Sequence, residues 1–217
     1  MITKAEIAKY IDHTILKPDA TKAEITQVCD EAKQYGFASV CVNSSNIAHV
    51  AKELEGSDVA PCCVVGFPLG AMALGAKAHE AKLAVSLGAK EIDMVMNIGA
   101  AKDKNWALVA EDIEDVMLAV NEDTIVKLIL ETCLLTDDEI CMASAIGKTA
   151  EVDFIKTSTG FSHRGARAGD IRLIRAEIGP EMGIKASGGI RTYEDAMDMI
   201  KAGATRIGAS SSVAIVT

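Results

Sequence analysis

Short apolar or β-branched runs recur along the chain at 13–16, 38–42, 61–66, 91–96, 125–130, 152–156, 183–186 and 205–208. Most gaps between them carry apolar residues at helical spacing. After Thr21-Lys-Ala-Glu24, the residues Ile25, Val28, Ala32 and Tyr35 fall near one face, and Gly36 offers a left-handed stop. Thr21 and Glu24 form a capping box, in which the threonine oxygen accepts from the N3 amide while the glutamate reaches back. The signal recurs at Thr136 and Glu139, ahead of Ile140, Ala143 and Ile146, with Gly147 as the expected stop. Asp103 is the expected cap of a helix burying Trp106, Val109, Ile113, Val116 and Val120. Thr192 opens another with Ala196, Met199 and Ile200 inward, ending at Gly203.

Strand and helix signals alternating in units of about 20–35 residues predict a parallel sheet. Eight strands fit a closed (β/α)8 TIM barrel, an α/β fold in one domain over 1–217 with a short N-terminal helix, better than an open doubly wound sheet. The polar content of the strands separates the two, because alternate residues of a barrel strand point into its interior. Setting Ile92, Met94 and Met96 against the helices turns Asp93, Val95 and Asn97 inward. Likewise Val126, Leu128 and Leu130 outward leave Lys127, Ile129 and Glu131 inward. Phe154, Lys156, Lys185 and Ser187 follow the same rule. Asp93, Lys127, Glu131, Lys156 and Lys185 thus gather around one axis. An unpaired buried ion costs on the order of several kcal/mol, so this set is either a mutually paired salt-bridge layer or a functional one.

A length of 217 residues suffices for one well-cored domain, and 49% hydrophobic residues argue against disorder. The net charge of −9 excludes the concentrated basic face a nucleic-acid binder needs, though a local cationic pocket for an anion stays compatible with it. The N-terminus lacks the apolar core of a signal peptide and no 18-residue apolar run exists, so no membrane partner and a soluble, cytoplasmic protein are expected. The six cysteines lack metal-ligand spacing and are expected to be reduced structural thiols, with Cys41, near a strand end, the one that could face a site. Four scattered histidines give no metal site, and no G-x-G-x-x-G follows a strand, so neither metal nor dinucleotide cofactor is expected.

The chemistry concentrates in two strand-end lysines. Val152-Asp-Phe-Ile-Lys156-Thr-Ser-Thr-Gly160 and Gly183-Ile-Lys185-Ala-Ser-Gly-Gly189 each place a lysine before small residues and glycine. A strand-end lysine alone is usually a surface residue. Two together suggest imine chemistry, since a second cation and partial desolvation make an amine's proton removable near neutral pH. Gly160, Gly188 and Gly189 allow close backbone approach to an anion, or simply turn the chain. Ser210 and Ser211 follow the last strand, where this fold often binds phosphate.

Together these segments resemble the class I deoxyribose-phosphate aldolase family. The similarity runs nearly end to end, through Ile11-Asp-His-Thr14, Ala38-Ser-Val-Cys-Val-Asn43, Val65-Gly-Phe-Pro-Leu-Gly70, Glu91-Ile-Asp-Met-Val95, Val126-Lys-Leu-Ile-Leu-Glu-Thr-Cys133, the two lysine segments and Gly203-Ala-Thr-Arg-Ile-Gly-Ala-Ser210. The resemblance implies reversible cleavage of 2-deoxy-D-ribose 5-phosphate to acetaldehyde and D-glyceraldehyde 3-phosphate, without a cofactor beyond the lysine imine. It implies Lys156 as the Schiff-base lysine, Lys185 as the cation that activates it, and Asp93 as an acid/base carboxylate working through an ordered water. Lys127 is either catalytic or ion-pair support for Asp93; Asp12 is either part of the proton relay or a capping or turn carboxylate. His13 is expected to be structural. Family members are often dimers, so a homo-oligomer, a dimer, is expected.

The chain departs from the family pattern in places. Ala71-Met-Ala-Leu-Gly75 stands where polar residues are usual, Ser44-Ser45 replaces an Asn-Pro step, and His163-Arg-Gly-Ala-Arg167 brings cations into a normally small Thr/Gly segment. Those cations either contact phosphate or decorate a solvated loop, and the loop is favoured. Longer relatives can carry a C-terminal tyrosine that assists proton transfer; with the sequence stopping at Thr217, solvent or the Asp93 relay is expected to serve. Two other readings stay open: a phosphosugar isomerase or epimerase, and a barrel that only binds a phosphorylated metabolite.

Overall fold

Eight parallel strands hydrogen-bond in chain order and close into a barrel. They are β1 (Ile11–Thr14), β2 (Ser39–Asn43), β3 (Ala60–Val65), β4 (Glu91–Val95), β5 (Ile125–Ile129), β6 (Phe154–Lys156), β7 (Gly183–Ser187) and β8 (Arg206–Ala209). The computed structural model describes residues 2–217. Closure is made by β1, which pairs Asp12 with Ser39 of β2 on one side and with Gly208 of β8 on the other. Around the strands lie α2 (Lys22–Tyr35), α3 (Ile47–Glu53), α4 (Ala76–Ser86), α5 (Ile98–Lys102), α6 (Trp106–Ala119), α7 (Asp137–Thr149), α8 (Ala168–Ile178), α9 (Tyr193–Ala202) and α10 (Ser212–Val216). The short α1 (Lys4–Ala8) precedes β1. The (β/α)8 architecture expected from the alternation is the observed fold.

The capping boxes at Thr21 and Thr136 form as their spacing predicts, Thr192 opens α9 with a third box through Asp195, and Gly36 closes α2 at φ 69°. Two expected helix limits do not hold. Gly147 does not stop α7, which runs on to Thr149. The glycine is there for space, since a Cβ would stand 2.7 Å from Ile155 and 2.9 Å from Leu128. Asp103 does not cap α6; it ends α5, and Asn105 caps α6 by accepting from the Leu108 amide. β1 also begins at Ile11, ahead of the apolar run, so Asp12 is a strand residue.

Two apolar regions divide the molecule. The outward faces of the strands, including Ile92, Met94, Val126, Leu128, Ile155 and Ile184, pack in one continuous core against helix residues such as Val109, Ile113, Ile171 and Ile174. Burying one such side chain stabilises by about 1.5–3 kcal/mol, so this layer carries the fold. Inside the barrel lies a small separate apolar cluster of Leu16, Cys41, Cys62 and Val64. Beside it stand the buried charged residues Asp12, Asp93, Lys127, Lys156 and Lys185, and that is where the chemistry lies.

Candidate active site

Asp93, on β4 and wholly buried, is the hub of the interior. Its Oδ1 accepts from Lys127 Nζ at 2.8 Å, and its Oδ2 accepts from Lys156 Nζ at 2.7 Å and Lys185 Nζ at 2.6 Å. Strand register delivers these groups: Asp93 pairs with Lys127 across β4 and β5, and Lys156 with Lys185 across β6 and β7. Asp12, opposite on β1, takes Arg206 Nη1 on Oδ1 at 2.6 Å. Its Oδ2 lies in ion-pair contact with Lys185 and 3.6 Å from Lys127, yet receives no well-directed hydrogen bond, so the pairing there is coulombic. Glu91 completes the layer beneath, 2.5 Å from Lys127 and 3.2 Å from Arg206.

Three carboxylates therefore face four cations inside the barrel, all but Arg206 buried. Burial would push the Asp93 carboxyl up, but Lys127, Lys156 and Lys185 hold it well below the usual carboxylate range. Burial opposes ionisation of Asp12 too, and Lys185, Lys127 and Arg206 overcome it. Conversely, burial disfavours the Lys127 and Lys185 ammoniums, while Asp93 and Asp12 push both well above an ordinary lysine. Lys185 is thus a fixed cation sharing one carboxylate oxygen with Lys156. Of these charged groups only Lys156 lines the open cavity at the C-terminal strand ends, about 390 Å³ in volume. That is the side on which this fold builds active sites.

Gly160, Gly188, Gly189 and Ser210 line the same cavity, with the three glycines at φ 86°, 84° and 81°. Ser211 does not line it; it is the N-cap residue of α10 and makes no side-chain cap bond. Lys17 and Arg191 line it as well, two cations the sequence reading did not single out. Glu91 and Arg206 were also missed there. Extending the inward alternation by one pleat, to residue 91 on β4, would have found the first; the second follows from the Lys185↔Arg206 register, which only the fold supplies.

Two inward expectations fail. Glu131 does not join the lysines but accepts from the Thr159 amide at 3.4 Å and from the Thr159 hydroxyl. β5 ends at Ile129 and Glu131 turns left-handed at φ 57°, so the alternation no longer applies. Asn97 lies past the end of β4 and caps α5 by accepting from the Ala100 amide at 3.0 Å.

His13 bridges elements, with Nδ1 2.9 Å from Ser212 Oγ and Nε2 2.7 Å from Glu31. Cys41 does face the site, and so does its register partner Cys62: their sulfurs lie 3.9 and 3.4 Å from Asp93 oxygens. Among the described residues these three groups come within metal-ligand range of one another, despite the unpromising spacing of the cysteines. Both Asp93 oxygens already accept from ammoniums, however, and a dication would have to displace them.

In the departing loops, Arg164 is bound to Asp170 and His163 and Arg167 are exposed, and none of the three lines the cavity. The 71–75 segment is exposed; just before it, Phe67 packs edge-on against Phe161 at 5.2 Å. No described helix is long and apolar enough to cross a membrane.

Comparison with known proteins bears on this geometry. A family profile described as DeoC/LacD family aldolase matches residues 6–216. The deoxyribose-phosphate aldolase of Clostridium novyi is 57% identical over 208 residues, covering 96% of this chain and 94% of that protein. That of Macrococcus caseolyticus is 56% identical over 209 residues, covering 96% and 94%. The tetrameric deoxyribose phosphate aldolase structure from Aeropyrum pernix superposes with a TM-score of 0.91 at 32% identity, covering 99% of this chain and 91% of that one.

Proposed function

The chain belongs to the DeoC/LacD aldolase family, and from that premise we propose that it reversibly cleaves 2-deoxy-D-ribose 5-phosphate, as a single 1–217 domain, through an imine on Lys156. The observation that carries this reading is the shared Asp93 oxygen: Lys156, facing the cavity, stands beside Lys185, whose ammonium form Asp12 and Asp93 favour. The neutral Lys156 amine adds to the C1 aldehyde of the open-chain sugar. The carbinolamine loses water to give an iminium. Removal of the C3 hydroxyl proton lets the C2–C3 electron pair flow into the iminium, releasing D-glyceraldehyde 3-phosphate and leaving an enamine. Protonation at C2 and hydrolysis then free acetaldehyde and the lysine.

Asp93 serves as the acid/base carboxylate, with an ordered water between it and the reacting carbons. Resting, it is ionised by three ammoniums; when Lys156 becomes a neutral amine one of these is lost and Asp93 becomes a better base. Lys127 acts as its counter-ion, and Asp12 holds Lys185 in place and in charge. The sugar phosphate lies at Gly160, Gly188, Gly189 and Ser210, with Ser211 behind them. No metal or dinucleotide enters the reaction, so a chelator should leave turnover unchanged. The reading includes a homo-oligomer, for which a one-chain mass in light scattering would be the contrary result.

Borohydride reduction with acetaldehyde or deoxyribose 5-phosphate, followed by peptide mapping, tests the assignment. An adduct on Lys156 is expected. An adduct on Lys185 would reverse the lysine roles, and none in a folded protein would favour an isomerase or a binding-only barrel.

A further inference from the structure

Arg164 and Asp170 have no part in the chemistry above, yet they form a built contact. Asp170, buried in the first turn of α8, accepts from Thr132 Oγ1 at 2.8 Å and from Arg164 Nη1 at 2.6 Å. Arg164 also donates from Nη2 to the Thr132 carbonyl at 3.1 Å and from Nη1 to the Gly165 carbonyl at 3.3 Å. A guanidinium shared between a buried carboxylate and two carbonyls is strongly oriented, because its donors are fixed in one plane. Asp170 occupies the third helical position, where a carboxylate would complete a capping box. Arg167, at the cap, supplies no side-chain bond, and Asp170 holds Arg164 instead.

This fork anchors the backbone that abuts the glycine pair. The Ala166 amide donates to the carbonyls of Ser187 at 3.0 Å and Gly188 at 3.1 Å. Gly165 lies so close that a Cβ there would stand 2.0 Å from the Gly188 oxygen. In a trans peptide the carbonyl and the following N–H point in opposite directions. Drawing the 187 and 188 carbonyls onto Ala166 therefore turns the Gly188 and Gly189 amides to the other side. Gly188 and Gly189 line the cavity and residues 165 and 166 do not, so that other side is the cavity.

We infer that Arg164 is a positioning residue for anion binding, holding the 187–189 peptide planes so that two amides face the phosphate. It acts through Asp170, Thr132 and Ala166 and is not itself a phosphate ligand. The inference rests on the reading that phosphate binds at Gly188 and Gly189.

The test compares Arg164→Ala, Arg164→Lys and Asp170→Asn. It reads KM and kcat on deoxyribose 5-phosphate, turnover of unphosphorylated 2-deoxyribose, and calorimetric binding of inorganic phosphate. Arg164→Ala and Asp170→Asn should each raise KM and weaken phosphate binding about tenfold, the scale of one charge-assisted hydrogen bond, with kcat and 2-deoxyribose turnover unchanged. Arg164→Lys should recover part of the loss.

Equal losses on both sugars, or no loss in folded variants, would overturn the inference. So would weakened phosphate binding in Arg164→Ala with unchanged or tighter binding in Asp170→Asn, which is the behaviour of a direct ligand. If Arg164→Ala fails to fold, the other two variants decide. The phosphate isotherms are read even if the wild type turns over no sugar, so failure of the aldolase reading is distinguishable from failure of the clamp.

Discussion

At the scale of single residues, Asp93 organises the interior, because one buried carboxylate receives three ammoniums. Asp93→Asn should lower kcat by about a hundredfold or more through loss of proton transfer, as steady-state kinetics would show. It should also destabilise the fold by about 3–5 kcal/mol, since three buried lysines lose their shared counter-ion. Lys185→Leu removes the fixed cation beside Lys156. The pH at which acetaldehyde is trapped on Lys156 should then rise by about one unit or more, and an unchanged profile of borohydride trapping against pH would count against the tuning role. Lys156→Ala should abolish trapping while leaving the circular dichroism spectrum intact.

Between elements, α4 and α6 are joined by a pair that the sequence pattern does not reveal. Lys77 Nζ meets Asp112 Oδ2 at 2.6 Å with both side chains buried. Burial pulls the lysine down and pushes the aspartate up, so desolvation exceeds the mutual attraction for each partner. A pair of this kind contributes little net stability but is costly to break from one side. Lys77→Met should therefore destabilise by about 3–5 kcal/mol, and Lys77→Met with Asp112→Leu should recover most of that in urea unfolding. Activity should be unaffected by the double variant, which would show that the pair supports the barrel wall and not the site. The helix caps were readable at this scale because a Thr and a carboxylate three residues apart act locally. Gly147 misled because its glycine answers to Leu128 and Ile155, which are distant in sequence.

For the whole molecule, the charged interior sets the pH window of stability. Asp93 and Asp12 have lowered folded pKa values, so the stability they supply is complete above the unfolded value near about 3.9 and is lost as pH falls below it. Lys127 and Lys185 have raised values, so theirs is complete below about 10.4 and is lost as pH rises further. His13 is pulled down chiefly by burial, against Glu31, and contributes a shallower loss as pH falls below about 6.5. Thermal melts should therefore decline gently below about pH 6.5 and steeply only below about pH 4, with the gentle phase absent in His13→Gln.

By itself the sequence determined the eight-unit alternation, four of the five groups in the lysine–carboxylate cluster first placed on the axis, and the glycines beside the cavity. Each of these follows from a period of two or 3.6 or from a spacing within one turn, which are local rules. Only the tertiary structure decided that Asp12 faces Lys185 across the closure of β1 with β8, and that Arg206 reaches Asp12 and Glu91 to complete the charge layer. It alone turned Glu131 away toward Thr159 and brought Arg164 onto Asp170 and Thr132. These contacts join residues far apart in the chain, depend on where a strand stops pleating, or, for Arg164 and Asp170, fold a loop back onto the next helix, and none of these is written in a local period.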